Sequence, residues 1–192
     1  SSGANLIDSG RNVAFGYGSL QTDTKGAKST AIGYSALNTQ NFTSGTDSHN
    51  TAVGYTAGES ITTGTDNTIV GSLAGDAMTT GAGATLVGKS AGSALTTGGD
   101  NTAIGKQALK TTTTGSYNTA VGKDALEAAT TADNNTAIGY LAGTSITTAT
   151  QSTYLGASAG IYVTTGSYNV LIGYNSGTYV VGLTTGSANT LV

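Results

Sequence analysis

Apolar and polar positions recur along this chain with a period of 17 residues. In each period a bulky apolar residue stands directly before a glycine, and the residues ahead of it read Asn-Thr-Ala or a close variant. Most neighbouring glycines of this series are 17 residues apart, and 21 residues separate Gly33 from Gly54. The series consists of Gly16, Gly33, Gly54, Gly71, Gly88, Gly105, Gly122, Gly139, Gly156 and Gly173. Such self-similarity is typical of one small unit that stacks on itself, here about ten times.

Each period predicts one short β-coil. Thr-Ala-Ile and its variants combine β-branched residues with period-two alternation, which favours a strand. The glycine then ends the strand, and Thr-Thr-Gly, as at 62–64, predicts a second corner. A helical unit is excluded, because glycines and paired threonines are poor helix formers. The chain is therefore predicted to be all-β, a β-solenoid (β-roll) of about ten 17-residue coils, and at about 4.8 Å per coil the rod is about 50 Å long.

The bulky residue before each glycine is predicted to form the core. An unbroken apolar column at one position of a repeat is typical of residues that face inward. A small residue three positions after the glycine and a bulky one seven positions after it, as at Ile61 and Leu95, are expected to complete a narrow interior. The predicted core column consists of Val53, Val70, Val87, Ile104, Val121, Ile138, Leu155 and Ile172.

The residue two positions before each glycine is predicted to face outward, because strand side chains alternate. This second column is also apolar, and a continuous apolar stripe on a rod is typical of a partner surface. A coil with so thin an interior also favours association, since a single chain buries little apolar area. The predicted oligomer interface consists of Ala52, Ile69, Leu86, Ala103, Ala120, Ala137 and Leu171.

One domain is predicted to cover residues 1–192, with two interruptions of the period. The longer interval between Gly33 and Gly54 places an insertion near 41–49, which is expected to protrude from the rod. A second insertion is expected near 178–185, where the last unit is lengthened. Insertions in solenoids often lie on binding or assembly surfaces.

Composition removes several functional classes. The net charge is −3, with 7 Lys and Arg against 10 Asp and Glu, so that nucleic acid is not an expected partner. No apolar run approaches the roughly 20 residues of a membrane span, and membrane insertion is not expected. The chain has no cysteine, which excludes disulfides and cysteine zinc sites. The acidic residues are scattered rather than grouped at ligand spacing, so neither a metal nor a cofactor is expected.

Catalysis is not expected either. His49 is the only histidine, and it follows Asp47 and Ser48 directly. Three neighbours in sequence do not provide the convergent geometry of a catalytic triad. We therefore expect a protein that is not an enzyme.

Tyrosines recur at the position after the glycine and are the predicted surface-binding residues. They share this column with Lys89, Lys106 and Lys123, and lysine at a repeat position indicates that the position is exposed. Flat amphipathic rings stack on sugars, although they also pack between rods. Carbohydrate on a host surface is the ligand considered for Tyr17, Tyr34, Tyr55, Tyr140 and Tyr174.

The phrase Asn-Thr-Ala-Val/Ile-Gly-Tyr-x-Ala at Asn50 to Ala57 and at Asn135 to Ala142 resembles the head repeats of trimeric autotransporter adhesins. Similar phrases occur in phage tail fibres. The resemblance covers nearly the whole chain. It implies a β-roll in which three chains stand side by side as a trimer, on the cell surface, outside the cell or on a virion. It further implies a fibre segment or adhesin head that attaches to a host or matrix surface.

Two other functions stay open. The last repeat stops at Val192, just before its glycine, so an end-to-end polymer forming a structural filament is an alternative. A threonine-rich solenoid can also present a flat, weakly charged face to water, which makes an ice-binding solenoid the second alternative.

Overall fold

The computed structural model describes residues 1–3, 10–178 and 183–192. Within these ranges, eleven short strands form one parallel sheet and two more form a second sheet. The large sheet contains β1 Val13–Phe15, β3 Thr30–Ile32, β5 Thr51–Val53, β6 Thr68–Val70, β7 Thr85–Val87, β8 Thr102–Ile104, β9 Thr119–Val121, β10 Thr136–Ile138, β11 Thr153–Leu155, β12 Val170–Ile172 and β13 Thr190–Leu191. The small sheet pairs β2 Gly26–Ala27 with β4 Thr46–Asp47. No helix long and apolar enough to cross a membrane occurs in the described ranges.

Every strand of the large sheet pairs with the equivalent strand of the next coil. Thr85 lies opposite Thr102, and Val87 lies opposite Ile104, so that equivalent residues of successive repeats are neighbours. Backbone bonds continue past the strand ends, where the Gly105 N–H donates to the carbonyl oxygen of Val87 at 2.8 Å. The prediction of an all-β solenoid with coils of about 17 residues is confirmed.

The two faces of the strands are the reverse of the sequence prediction. The column two positions before the glycine was predicted to be an interface, and it is the core: Ala52, Ile69, Leu86, Ala103, Ala120, Ala137 and Leu171 are all fully buried. The column before the glycine was predicted to be the core, and none of its members is buried: Val53, Val70, Val87, Ile104, Val121, Ile138, Leu155 and Ile172. The physical reason is space, because the coil is too narrow for a bulky residue at every inward strand position.

The interior is filled by two positions whose sizes compensate each other. The residue four positions after the glycine also points inward, and it is leucine in four of the six coils whose inward strand residue is alanine, as in the pair Ala103 and Leu109. In the other two it is glycine, and side chains from the adjacent coils approach it. Where the strand residue is large the partner is glycine, and a Cβ at Gly160 would overlap the ring of Tyr154. Leu109 has a left-handed backbone with φ 52°, which costs about 1 kcal/mol. Burial of its side chain offsets this with about 2 kcal/mol.

These pairs follow a second, longer period of five coils. The inward strand residues run Ala14, Ala31, Ala52, Ile69, Leu86 and then Ala103, Ala120, Ala137, Tyr154, Leu171. Their partners run Leu20, Leu37, Gly58, Gly75, Gly92 and then Leu109, Leu126, Gly143, Gly160, Gly177. In both halves, two coils with leucine at the partner position (leucine coils) are followed by three with glycine there (glycine coils). The core therefore repeats every five coils, although the 17-residue phrase repeats in each one.

A ladder of buried asparagines runs beside the core, at the position before the first strand residue. The Asn118 side-chain NH₂ donates to Asn101 Oδ1 at 3.2 Å and to the Ala132 carbonyl oxygen at 2.7 Å. Its own Oδ1 accepts the backbone N–H of Asn135 at 3.0 Å. The Asn118 amide thus joins three coils and satisfies backbone groups that the turn would otherwise leave unpaired. Ser29, Ala84 and Ser152 interrupt the ladder, and the N–H of Ala84 still donates to Asn67 Oδ1.

Replacement of Asn118 by alanine is expected to lower the free energy of unfolding by about 2–3 kcal/mol, because buried donors and acceptors lose their partners. The opposite change, Ala84→Asn, adds an amide to the ladder and is expected to raise the free energy of unfolding by about 1 kcal/mol. The melting temperature is then expected to rise by about 2–4 °C. Chemical denaturation followed by circular dichroism measures both. Equal stabilities for the two variants would show that the amide ladder contributes nothing.

A patch of buried polar side chains lies in the interior beneath the insertion near 41–49. Asp23 and Gln40 take the inward position that Ile61 takes one coil later, and both are fully buried. Asp23 Oδ2 accepts a bond from Gln40 Nε2 at 2.7 Å, and Asp23 Oδ1 accepts the Gly26 N–H at 2.9 Å. The carboxylate thereby fixes the start of β2, on which β4 of the insertion pairs.

The second insertion lies partly outside the described residues, because 179–182 are not among them. On either side of that gap, Thr164 donates to the carbonyl oxygen of Thr184 at 3.0 Å across 20 residues. Equivalent threonine pairs elsewhere are 17 residues apart, as for Thr147 and Thr164. The last coil is therefore three residues longer than the regular 17-residue coil.

Candidate interaction surface

The outward side of the large sheet is the most regular surface of the molecule. We call it the strand face and define it by two rows that run along the rod. The first row is threonine at most levels, from Thr30 to Thr153, with Val13 and Val170 near its ends. The second row holds the residues before the glycines, among which Ile104 has 40% of its surface exposed. Because equivalent residues are in register, both rows keep the strand spacing of about 4.8 Å.

The glycine of each coil turns the chain away from the strand face. Gly105 has φ 137°, and a Cβ there would lie 2.5 Å from the carbonyl oxygen of Gly122. Only glycine accepts this backbone and this approach of the next coil. The residue after it therefore lies at a corner beside the strand face, and we call this set the trailing row: Tyr17, Tyr34, Tyr55, Ser72, Lys89, Lys106, Lys123, Tyr140, Ala157 and Tyr174.

The sequence-predicted tyrosines lie exposed in the trailing row, and three of them form a stack. The ring centroids of Tyr17 and Tyr34 are 5.5 Å apart, and those of Tyr34 and Tyr55 are 5.4 Å apart. Tyr34 therefore has a neighbouring ring on each side, and a sugar could not stack on it. Tyr140 stands apart from this stack, with Lys123 Nζ 5.2 Å from its ring centroid. Tyr174, with 79% of its surface exposed, is the most accessible tyrosine of the row.

A second corner flanks the strand face on its other side, and sequence reasoning missed it. The residue five positions before each glycine lies there with a left-handed backbone, for example Asp100 at φ 54°. We call this set the leading row: Arg11, Lys28, His49, Asp66, Gly83, Asp100, Tyr117, Asn134, Gln151 and Tyr168. A signal for it existed, since Asn, Asp and Gly tolerate the left-handed region best.

The two flanking rows differ in charge at the middle of the rod. Lys89, Lys106 and Lys123 occupy three successive levels of the trailing row, whereas Asp66 and Asp100 lie in the leading row. Lys123 Nζ lies 3.1 Å from Asp124 Oδ2, and this hydrogen bond raises the pKa of Lys123. Among the described residues, Lys89 and Lys106 form no salt bridge. At mid-rod the strand face, a threonine row beside an apolar row, thus lies between a basic and an acidic edge.

The side chains around His49 point to separate partners. His49 Nδ1 lies 3.5 Å from Asp66 Oδ1. Asp47 pairs with Lys28, whose hydrogen bond lowers the pKa of the Asp47 carboxyl. Ser48 is buried, and its hydroxyl donates to the carbonyl oxygen of Ala27 at 2.8 Å. These three neighbours in sequence therefore do not assemble into one site.

Neither a pocket nor a group of three or more His, Asp or Glu side chains close enough to hold a metal ion is found in the described ranges. The strand face and its two flanking rows are therefore the candidate site. No protein-family model, curated protein or solved structure matches this chain.

Proposed function

We propose that this chain is a non-enzymatic rod segment of a fibre or adhesin head, outside the cell or on a virion, that attaches to a host or matrix surface. The observation that carries the proposal is the in-register stacking of identical coils along one axis. Sheet bonds, side-chain ladders and the strand face all run in that direction. A chain built in this way supplies length and a repeated surface.

The corners opposite the strand face add a second ladder along the rod. Thr96 Oγ1 donates to the carbonyl oxygen of Thr113 at 2.9 Å, and Thr113 Oγ1 donates to that of Thr130 at 3.2 Å. Together with the asparagine ladder, these bonds tie each coil to the next at two places around its circumference. In such a solenoid each repeat contacts only its neighbours, and stability grows with the number of interfaces. This regular cross-linking suits a stiff spacer.

The proposed function requires the chain to lie outside the cell or on a virion, and immunogold electron microscopy tests this location. Antibodies raised against the purified chain are expected to label fibres on the outside of the source cells or virions. Label confined to the cell interior would overturn the proposal. Pre-immune serum on the same grids is the control.

Deletion of one whole coil tests whether the chain is a stacked rod. Deletion of residues 102–118 joins Asn101 to Thr119 and removes one leucine coil, so that a leucine coil still separates the neighbouring glycine coils. We expect a folded rod shorter by about 4.8 Å, measured by small-angle X-ray scattering. Deletion of 111–118 alone removes half a coil, breaks the register and is expected to unfold the chain. Equal tolerance of the two deletions would contradict a stacked rod.

Ice binding is a second candidate, and the outward direction of both strand-face rows favours it. Threonine and an aliphatic residue alternate in the same plane at constant spacing, which presents methyl and hydroxyl groups in a regular array. Inhibition of ice recrystallisation by the purified chain is the expected result. Thr85→Lys combined with Thr119→Lys is expected to remove the inhibition, and activity unchanged in that variant would exclude this face.

A further inference from the structure

We propose that two copies of this chain associate through their strand faces, with parallel rod axes related by a two-fold axis along the rods. This pairing rests on the proposed fibre function and names the partner that covers the strand face. The proposal starts from the apolar row of the strand face, which has no partner in the single chain. In this row Phe15 is 74% and Leu155 is 42% exposed. Bands of this extent on soluble proteins mark interaction sites.

The area of the strand face is sufficient for a stable complex. Eleven strands extend along the rod, and at about 4.8 Å each the face is about 50 Å long. From the leading row to the trailing row the chain advances six residues, or about 20 Å at about 3.3 Å per residue. Each copy would therefore contribute about 1,000 Å², and two copies about 2,000 Å², at the upper end of standard specific interfaces.

The orientation of the second copy decides which rows meet. When the two rods are parallel, a two-fold axis along them places the trailing row of one copy against the leading row of the other, at the same level. The threonine row then faces the aliphatic row, and the two sheets can pack at the usual distance of about 10 Å. When the rods are antiparallel, each row faces its own equivalent.

In the parallel arrangement, the flanking residues of several coils complement those of the same coil in the second copy, whereas Lys89 faces Gly83. Lys106 lies at the level of Asp100 of the second copy, and the two-fold axis repeats this ion pair. At the levels of Gly16 and Gly33, Tyr17 faces Arg11 of the second copy and Tyr34 faces Lys28, which are cation–π combinations. In the coil of Gly122 the order is reversed, and Lys123 faces Tyr117.

The antiparallel arrangement lacks this complementarity. With all eleven strands overlapped, the central strand Thr102–Ile104 faces its own equivalent, so that Lys106 would face Lys106 of the second copy and Lys89 would face Lys123. Like charges opposite each other in an apolar interface are costly. Asp100, the natural counter-ion, would then face Asp100. Charge pairing therefore selects parallel rods.

Sedimentation equilibrium of the full chain over a concentration series tests the pairing, and a dimer is the expected species. Ile104→Arg places a charge in the centre of the strand face and is expected to weaken the dimer at least ten-fold. Thr114→Arg, at an exposed corner of the same coil away from the strand face, is the matched control and is expected to leave the dimer intact. Circular dichroism spectra should be unchanged for both variants.

A charge exchange tests the orientation. Lys106→Glu and Asp100→Lys are each expected to weaken the dimer about ten-fold, and the double variant is expected to restore it. In antiparallel rods Lys106 and Asp100 would each face their own equivalents, so that each single variant would exchange one like-charge contact for another and leave the dimer about as strong. A dimer unchanged by both single variants would overturn the parallel axis, and weakening by each without rescue in the double variant would overturn the pairing of these two residues.

Other results would overturn the proposal as a whole. A monomer at every concentration would show that the strand face is not a self-association surface, and a trimer would exclude the two-fold axis. A monomer that inhibits ice recrystallisation would assign the face to ice. Failure here is separable from failure of the fibre function, because immunogold labelling reports location whether or not the chain forms a dimer.

Discussion

Replacement of Leu86 by aspartate is expected to unfold the central coils, whereas the same replacement at the next residue, Val87, leaves the fold intact. Leu86 is fully buried, and an unpaired carboxylate in its place loses hydration without gaining a partner. The expected loss is about 4 kcal/mol in the free energy of unfolding, to which the lost leucine packing also contributes. Val87 lies partly exposed in the strand face, where a carboxylate keeps contact with water.

Chemical denaturation followed by circular dichroism measures this pair. Both variants should be compared at concentrations where the chain is monomeric, because Val87→Asp is also expected to weaken self-association. A folded Leu86→Asp variant together with an unfolded Val87→Asp variant would restore the sequence-based assignment of the two faces. The adjacent positions make each variant the control for the other.

Gly105→Ala is expected to be nearly as damaging, although it adds a single methyl group. The backbone at Gly105 has φ 137°, a region that residues with a Cβ rarely enter. The added Cβ would also lie 2.5 Å from the carbonyl oxygen of Gly122, an atom held by the next coil. Strain and overlap together are expected to cost about 3 kcal/mol or more.

Gly45→Ala is the matched control for Gly105→Ala. A Cβ at Gly45 would have no heavy atom within 4 Å, and this residue lies exposed in the insertion. We expect a change of less than about 0.5 kcal/mol. If Gly105→Ala were as mild as Gly45→Ala, the close stacking of the glycine column would be wrong. Thermal denaturation monitored by circular dichroism distinguishes the two cases.

The period of the sequence was sufficient to predict the solenoid, the coil length and the corners, because stacking in register requires equivalent residues to recur. It was not sufficient to predict which strand face is inside. Both strand columns are apolar, and reasoning by size placed the larger residues in the core. Two signals pointed the other way. Asn118, whose buried amide pairs backbone groups of the turn, lies on the same side of its strand as Ala120. At most levels the size of the inward strand residue also compensates that of the leucine or glycine six positions later.

The candidate surface was predicted only in part. Exposure of the tyrosine column followed from Lys106 and its neighbours at the same repeat position. The stack of Tyr17, Tyr34 and Tyr55 depends on ring orientation, which a repeat pattern does not contain. The leading row went unnoticed, because its members, from Arg11 to Asp100, share a backbone conformation rather than a chemical type.

The five-coil order of the core also indicates how the gene grew. Inward residues match between the two halves, such as Ala52 with Ala137 and Leu86 with Leu171, while outward equivalents such as Tyr17 and Lys106 have diverged. Duplication of a five-coil ancestor would produce this match, to which Ile69 against Tyr154 is an exception, since each copied strand position met the same neighbours. Surface positions were free to drift after that event. Later lengthening of the gene is therefore expected to be fixed most readily in steps of five coils, which add complete interiors without a mismatched junction.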